Sequence, residues 1–299
     1  MNCLLEKISV MATNSLRMEV MLHPKPGLVD LKNNGSHDDM DYTTFMRSIQ
    51  ALMPHICNYL KIGYSHEGAI SYLFHKLRRE GVKAEHSMFS ATSNINTHKG
   101  ANFSFAVILG AIGLHLQTKR EIIWSSKDTH QVFSIVSNMC KGLIKEDMES
   151  IHKKNPNLLT PGERQYLQYG STGVRGLAEQ GYPILVNKVL PYARSLLKST
   201  NDISGSFLLI LTLLISEVED INILNRSDSE TLDMVQYVFS SEINTLTEKN
   251  VRFFLNKWDN IFQEKNISPG GSADLLSVII MIMMLEGYIP QESEELWEL

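Results

Sequence analysis

Three stretches of this chain are apolar on every side: Phe103 to Leu114, Phe207 to Ile215, and Leu275 to Leu285. A helix with no polar face has nowhere to meet water, so each stretch predicts a helix enclosed by other helices. Three of them predict one shared core. All are well short of the roughly 20 apolar residues needed to cross a bilayer. Elsewhere apolar residues recur at helical spacing, as in Phe45, Ile49, Leu52 and Ile56, or Val251, Phe254, Leu255, Trp258, Ile261 and Phe262. No segment sustains the alternation of a strand, and no Ser/Gly or Pro tract, charge block or fixed-period repeat divides the chain. The reading is all-α: one compact multi-helix domain over residues 1–299, built around buried central helices.

Charge narrows the partners. With 28 Lys+Arg against 33 Asp+Glu, the net charge of −5 supplies no whole-molecule field for a nucleic acid backbone or an anionic membrane, so neither is expected as a partner. Any polyanion must meet a local basic pocket. The three cysteines, Cys3, Cys57 and Cys140, are widely spaced and form no CxxC pair, which fits a reducing compartment. Met1 to Leu16 carries Glu6 and Lys7 among its apolar positions and does not resemble an export signal. A cytoplasmic location is expected.

Gly, Pro and polar residues cluster in short joints, and the chemistry clusters with them. In His23-Pro24-Lys25-Pro26-Gly27-Leu28-Val29-Asp30, two prolines stiffen the backbone around Lys25, a geometry able to present a lysine to phosphate. His37, Asp38, Asp39 and Asp41 follow; the acids either cap the helix carrying Phe45 or serve a metal or catalytic role. In Asn96-Thr97-His98-Lys99-Gly100, either Asn96 or Thr97 suits the N-cap of the first apolar helix, where free N–H groups and the helix dipole would draw an anion. Gly173-Val174-Arg175-Gly176 surrounds an arginine fork with glycines. Asp220, Asn222 and Arg226 follow the second apolar helix, and Ser268-Pro269-Gly270-Gly271-Ser272-Ala273-Asp274 opens the third, with Ser272 expected at its cap. Cations Lys25, Lys99, Arg175 and Arg226 beside carboxylates Asp30, Asp39, Glu85, Asp220 and Asp274 have the composition of a site for a magnesium-bound nucleoside triphosphate. Neither a GxxxxGK[ST] loop nor a GxGxxG fingerprint occurs, so any ATP binds by another route.

At these joints the sequence resembles the triphosphoribosyl-dephospho-CoA synthase family, which makes the prosthetic-group precursor of citrate lyase and of malonate decarboxylase. The resemblance rests on EVMLHPKPGLVD (Glu19 to Asp30), NGSHDDM (Asn34 to Met40), AEHSMFSAT (Ala84 to Thr92), NTHKGANFS (Asn96 to Ser104), GVRG and GYP (Gly173 to Gly176, Gly181 to Pro183), and NISPGGSADLL (Asn266 to Leu276). It implies an all-α fold and a reaction in which ATP gives its triphosphoribosyl unit to the ribose 2′-hydroxyl of 3′-dephospho-CoA and releases adenine. It implies Mg²⁺ alongside ATP, and a hand-off of product to an acyl-carrier subunit or its transferase. Two stretches depart from the family pattern: Arg175-Gly176-Leu177-Ala178 stands for RGEA, leaving Glu179 as a substitute acid, and Asp220-Ile221-Asn222 with Arg226-Ser227-Asp228 stands for DTN with RGG.

Breaking the bond to adenine develops positive charge on the ribose, and the attacking hydroxyl needs a base. Glu85, Asp39 and His98 are the candidates for base and ring stabiliser, and His37 or His98 for protonating adenine. Asp220, with Asp274 or Asp39, is expected to hold Mg²⁺; Lys25, Asp30, Asn96, Lys99, Gly100, Arg175, Asn222, Arg226 and Ser272 are expected to bind substrate. Two other readings stay open: a related nucleotide ribosyl transferase or hydrolase, and a helical nucleotide-binding regulator without catalysis.

Overall fold

Two long helices meet backbone to backbone at glycine. In this computed structural model, which describes residues 2–119, 123–149, 151 and 154–290, α2 (Tyr42–Tyr64) crosses α4 (Lys99–His115) very closely. A β-carbon on Gly63 would stand 1.9 Å from the Gly110 carbonyl oxygen, so no larger residue fits at the crossing. Around α4 pack α3 (Ile70–Ala91), α5 (Ser126–Met139) and α14 (Gly270–Leu285). α14 in turn packs against α1 (Asn2–Met21) and α10 (Ile203–Glu217), and α10 against α9 (Leu190–Leu197), α12 (Ser229–Glu242) and α13 (Val251–Glu264).

The three wholly apolar stretches are α4, α10 and α14, and their residues from Phe105 to Ile112, Phe207 to Ile215 and Leu275 to Met284 are buried almost without exception. On amphipathic helices the expected faces turn inward: Ile49, Leu52 and Ile56 are buried on α2, and Phe254, Trp258 and Phe262 on α13 pack their rings against Phe239. The fold is all-α; among the described residues there is no strand, and no helix is long and apolar enough to cross a membrane.

The joints hold more structure than their Gly/Pro content suggests. Two of them contain the short helices α7 (Pro161–Tyr169), α8 (Gly173–Glu179) and α11 (Ile221–Arg226), and α6 (Leu143–Glu149) precedes them. Local capping explains α7: Thr160 and Glu163 form a reciprocal box, and left-handed Gly170 ends the helix. Helix starts also differ from expectation. α4 begins at Lys99 with His98 as its N-cap, because the Thr97 hydroxyl is drawn away to Ser48 at 2.7 Å. α14 begins at Gly270, which puts Ser272 inside its first turn rather than at its cap. Among the acids of the first joint, Asp41 is the N-cap of α2, accepting from the Thr44 N–H at 2.8 Å.

Candidate active site

The starts of four helices touch in series. A β-carbon on Gly173, at the start of α8, would meet Ile221 at the start of α11. Asp220, the N-cap of α11, accepts from the Ser272 N–H (2.8 Å), the Ser272 hydroxyl (3.1 Å) and the Gly271 N–H (3.2 Å) in the first turn of α14, and from its own Asn222 N–H at 3.0 Å. One carboxylate therefore caps two helices. Asn222 packs on Gly270. From the same turn of α14, Asp274 reaches the start of α4, where it accepts the Ala101 N–H and lies so near Gly100 that a β-carbon there would stand 2.1 Å from its Oδ2. The positive ends of α4, α8, α11 and α14 are thus gathered in one region, an arrangement that favours anions. Burial raises the Asp220 carboxyl in spite of its donors. Burial, then the charges of Glu19 and Asp220, push Asp274 well above the ordinary carboxylate value.

The first joint folds against this region. Asp30 organises the joint by accepting from the Lys32 and Asn33 N–H groups (2.8 and 3.0 Å), from the Lys25 N–H and from His23, whose Nδ1 lies at 2.7 Å. Burial would raise its carboxyl, but the bonds from His23 and Lys32 outweigh burial and hold it below the usual range. Asp30 is therefore a buried loop anchor. Lys25, expected to reach for phosphate, instead turns inward: its side chain is 1% exposed and its ammonium sits 2.5 Å from Glu19 Oε1 at the end of α1. Glu19 is raised by burial, the Lys25 charge opposing the rise.

His37 and Arg226 close the other side. Arg226 donates to the Ser36 carbonyl (2.8 Å), to Asn266 Oδ1 (2.6 Å) and to His37 Nδ1 (2.8 Å). An arginine can only donate, so His37 Nδ1 accepts, and its Nε2–H faces Ser268 Oγ at 2.9 Å. Burial, then the Arg226 charge, lower His37 to about 4. Asp39 lies 3.7 Å from His37 Nδ1 with its side chain 62% exposed, outside the buried cluster.

His98 caps α4 with its ring edge-on to Phe45. Thr97 donates to Ser48, and the Ser48 hydroxyl then serves His98 Nδ1 at 2.7 Å, so the ring proton belongs on Nε2. That Nε2 is buried and has no hydrogen-bond partner among the described residues. Burial, then the nearby Lys25 charge, lower His98 to about 3. Both histidines expected to protonate adenine are therefore held neutral at physiological pH. Asn96 accepts the Lys99 N–H at 3.3 Å, and the Lys99 ammonium pairs with Glu85 of α3 at the site's half-exposed rim.

Arg175 stands apart from Lys25 and Arg226. It faces Asp147 of α6 (3.4 Å), which also holds Arg78 of α3 at 2.8 Å. Leu177, where the family pattern has a carboxylate, packs on the hydrophobic core. Glu179 does not replace it, because it accepts from the Gly142 and Ile144 N–H groups (2.8 and 3.1 Å) and caps the start of α6. Glu19, Ser48, Arg78 and Asp147 escaped the sequence reading. Glu19 alone had a signal, since it opens the stretch that ends in Asp30.

Oxygen donors are what a hard divalent cation requires. Glu19 and Asp30 lie beside the buried Lys25 ammonium, and the charges of Glu19 and Asp220 act on Asp274, so the region is rich in carboxylate oxygens. Of the expected metal ligands, Asp274 retains capacity, Asp220 is committed to capping, and Asp39 lies outside. Among the described residues no group of three or more His, Cys, Asp or Glu side chains is arranged to hold a metal alone.

Buried helix starts, carboxylates and cations without a phosphate loop make up a candidate anion site in an all-α protein. Residues 5–293 match the CitG family, ATP:dephospho-CoA triphosphoribosyl transferase, and the chain belongs to that family. It is similar to probable 2-(5''-triphosphoribosyl)-3'-dephosphocoenzyme-A synthases. That of Streptococcus mutans serotype c (strain ATCC 700610 / UA159) is 41% identical over 296 residues, covering 95% of this chain and 98% of the relative. Those of Streptococcus equi subsp. equi (strain 4047) and Streptococcus pyogenes serotype M18 (strain MGAS8232) are 37% and 38% identical, covering 95% and 94% of this chain and 98% and 97% of the relatives. No solved structure matches the chain.

Proposed function

We propose that the chain carries out its family's transfer by gathering the triphosphate of ATP at the starts of α4, α11 and α14 and directing the 2′-hydroxyl of 3′-dephospho-CoA at the ribose C1′ of ATP. The C1′–O bond forms as the bond from C1′ to adenine breaks; the hydroxyl proton passes to a base, and the departing adenine takes up a ring proton from water. The observation that carries this reading is the serial contact of the starts of α11, α14 and α4 through Asp220 and Asp274.

Glu85, at the rim with Lys99, takes the hydroxyl proton. The buried carboxylate of Glu19 stabilises the developing ribosyl cation. His98, neutral with Nε2–H unpartnered, donates a hydrogen bond to the substrate rather than a proton. Arg226 and Lys99 bind phosphate oxygens, and Lys25, locked to Glu19, sets the field beneath them. Asp274 would hold Mg²⁺, which when bound supplies charge neutralisation for the triphosphate. The product serves citrate lyase or malonate decarboxylase through an acyl-carrier subunit or its transferase, in the cytoplasm. Three free cysteines are in keeping with that compartment.

The test is chromatography of the purified protein incubated with ATP, Mg²⁺ and dephospho-CoA. Free adenine appearing with acceptor consumption is the expected result; ADP or AMP as main product overturns it. Leu177 favours one rival, a nucleotide-binding regulator, which would retain ATP and release no adenine.

A further inference from the structure

The arginines of the site fall into two sets that share no partner among the described residues. Arg226 is held by Ser36, Asn266 and His37, whereas Arg175 and Arg78 are held by Asp147. α11 separates the sets: Ile221 at its start abuts Gly173 of α8, and Arg226 lies five residues on, about 7.5 Å along the axis. The family's transfer joins two phosphate-bearing substrates, and a single cation cluster would place both phosphate chains on the same groups.

We propose that Arg78, Asp147 and Arg175 form the diphosphate subsite for dephospho-CoA, separate from the triphosphate site of ATP; this rests on the function proposed above. Asp147 is buried with its side chain 8% exposed, while those of Arg78 and Arg175 are 47% and 35% exposed. One carboxylate underneath fixes two guanidinium forks that face outward, so little side-chain freedom remains to be lost on binding. Two guanidiniums side by side on one carboxylate offer the paired N–H donors that a diphosphate diester accepts. The carboxylates that would accompany a metal-bound triphosphate lie instead around Asp274. The connection to the chemistry runs along α3: Glu85 is seven residues beyond Arg78, on the same helix face, about 10.5 Å along the axis. A dephospho-CoA held by its diphosphate at Arg78 and Arg175 would thus extend its ribose toward the Glu85–Lys99 pair.

The experiment measures binding of dephospho-CoA alone and of ATP with Mg²⁺ alone, by calorimetry, for the wild type and for Arg78→Gln, Arg175→Gln, Arg175→Lys and Arg226→Gln. Loss of one charge-assisted fork is expected to weaken dephospho-CoA about tenfold or more in both glutamine variants, with ATP affinity within about twofold of wild type. Arg226→Gln is expected to do the reverse. Arg175→Lys keeps the ion pair with Asp147 but not the fork, so it guards against a variant that simply unfolds; it should weaken dephospho-CoA by a smaller factor. Equal weakening of both substrates, or none of dephospho-CoA, overturns the subsite. A wild type that binds dephospho-CoA through these arginines yet releases no adenine would sink the transfer reading and leave the subsite standing.

Discussion

Replacing Lys25 by methionine leaves Glu19 in the interior without its counter-charge, a loss on the order of 3–5 kcal/mol for a broken buried pair. Replacing Glu19 by methionine as well removes both charges and should recover most of that loss. Urea denaturation of the single and double variants checks this, and a double variant no more stable than Lys25→Met would mean that the pair is not what the charge needs. Asp274 makes a pH-dependent prediction. Its folded carboxyl titrates well above its ordinary value of 3.8, so stability is fully present below that value and falls as pH rises toward the folded one. Asn carries no such penalty. Asp274→Asn should therefore match wild type in acid and gain on it with rising pH in thermal melts. It should also lose about a hundredfold or more in turnover, and the rise in melting temperature that Mg²⁺ with ATP gives the wild type should shrink. A variant that is less stable at every pH would contradict the argument. Lys99→Ala, whose ammonium lies at the rim and outside the core, should lower ATP use far more than melting temperature.

At the level of elements, the site is held by caps that cross from one helix to another. Asp220 serves α11 and α14 together, so Asp220→Ala should cost about 2–4 kcal/mol, roughly twice a single cap, and loosen the first turn of α14 in hydrogen exchange. A loss confined to α11 would refute the double role. This also explains what the sequence could disclose. The buried helices were readable because their apolar content is local, and Asp41 with Thr44 was readable as a cap because its partner lies three residues away. Asp220 was readable as a chemical residue but not as the cap of α14, since its second set of donors lies more than fifty positions on. Lys25 was misdirected for a similar reason. Prolines on either side announce a rigid loop but not its facing, and only the end of α1 decides that the ammonium turns toward Glu19. Asp147 carries no local signal, because what makes it notable is two arginines from α3 and α8.

Across the whole molecule, the two proposed anion sites would set the direction of attack near the Glu85–Lys99 pair. The proposed placement, with the ATP phosphates at the starts of α4, α11 and α14 and the acceptor diphosphate on α3 and α8, predicts that hydroxyl and departing adenine stand on opposite faces of the transferred ribose. Both are bound before the bond breaks, so no covalent intermediate is required, and a single displacement converts the β-linked ribose of ATP into an α-linked product. The proton coupling at the new anomeric carbon, read by NMR, measures this directly. The alternative is specific. The Glu19 charge raises the Asp274 carboxyl, and a nearby pair of carboxylates is what retaining glycosyl transfer uses. A β-linked product, or a ribosyl group trapped on Glu19 or Asp274, would make one of these residues the nucleophile and replace one displacement with two.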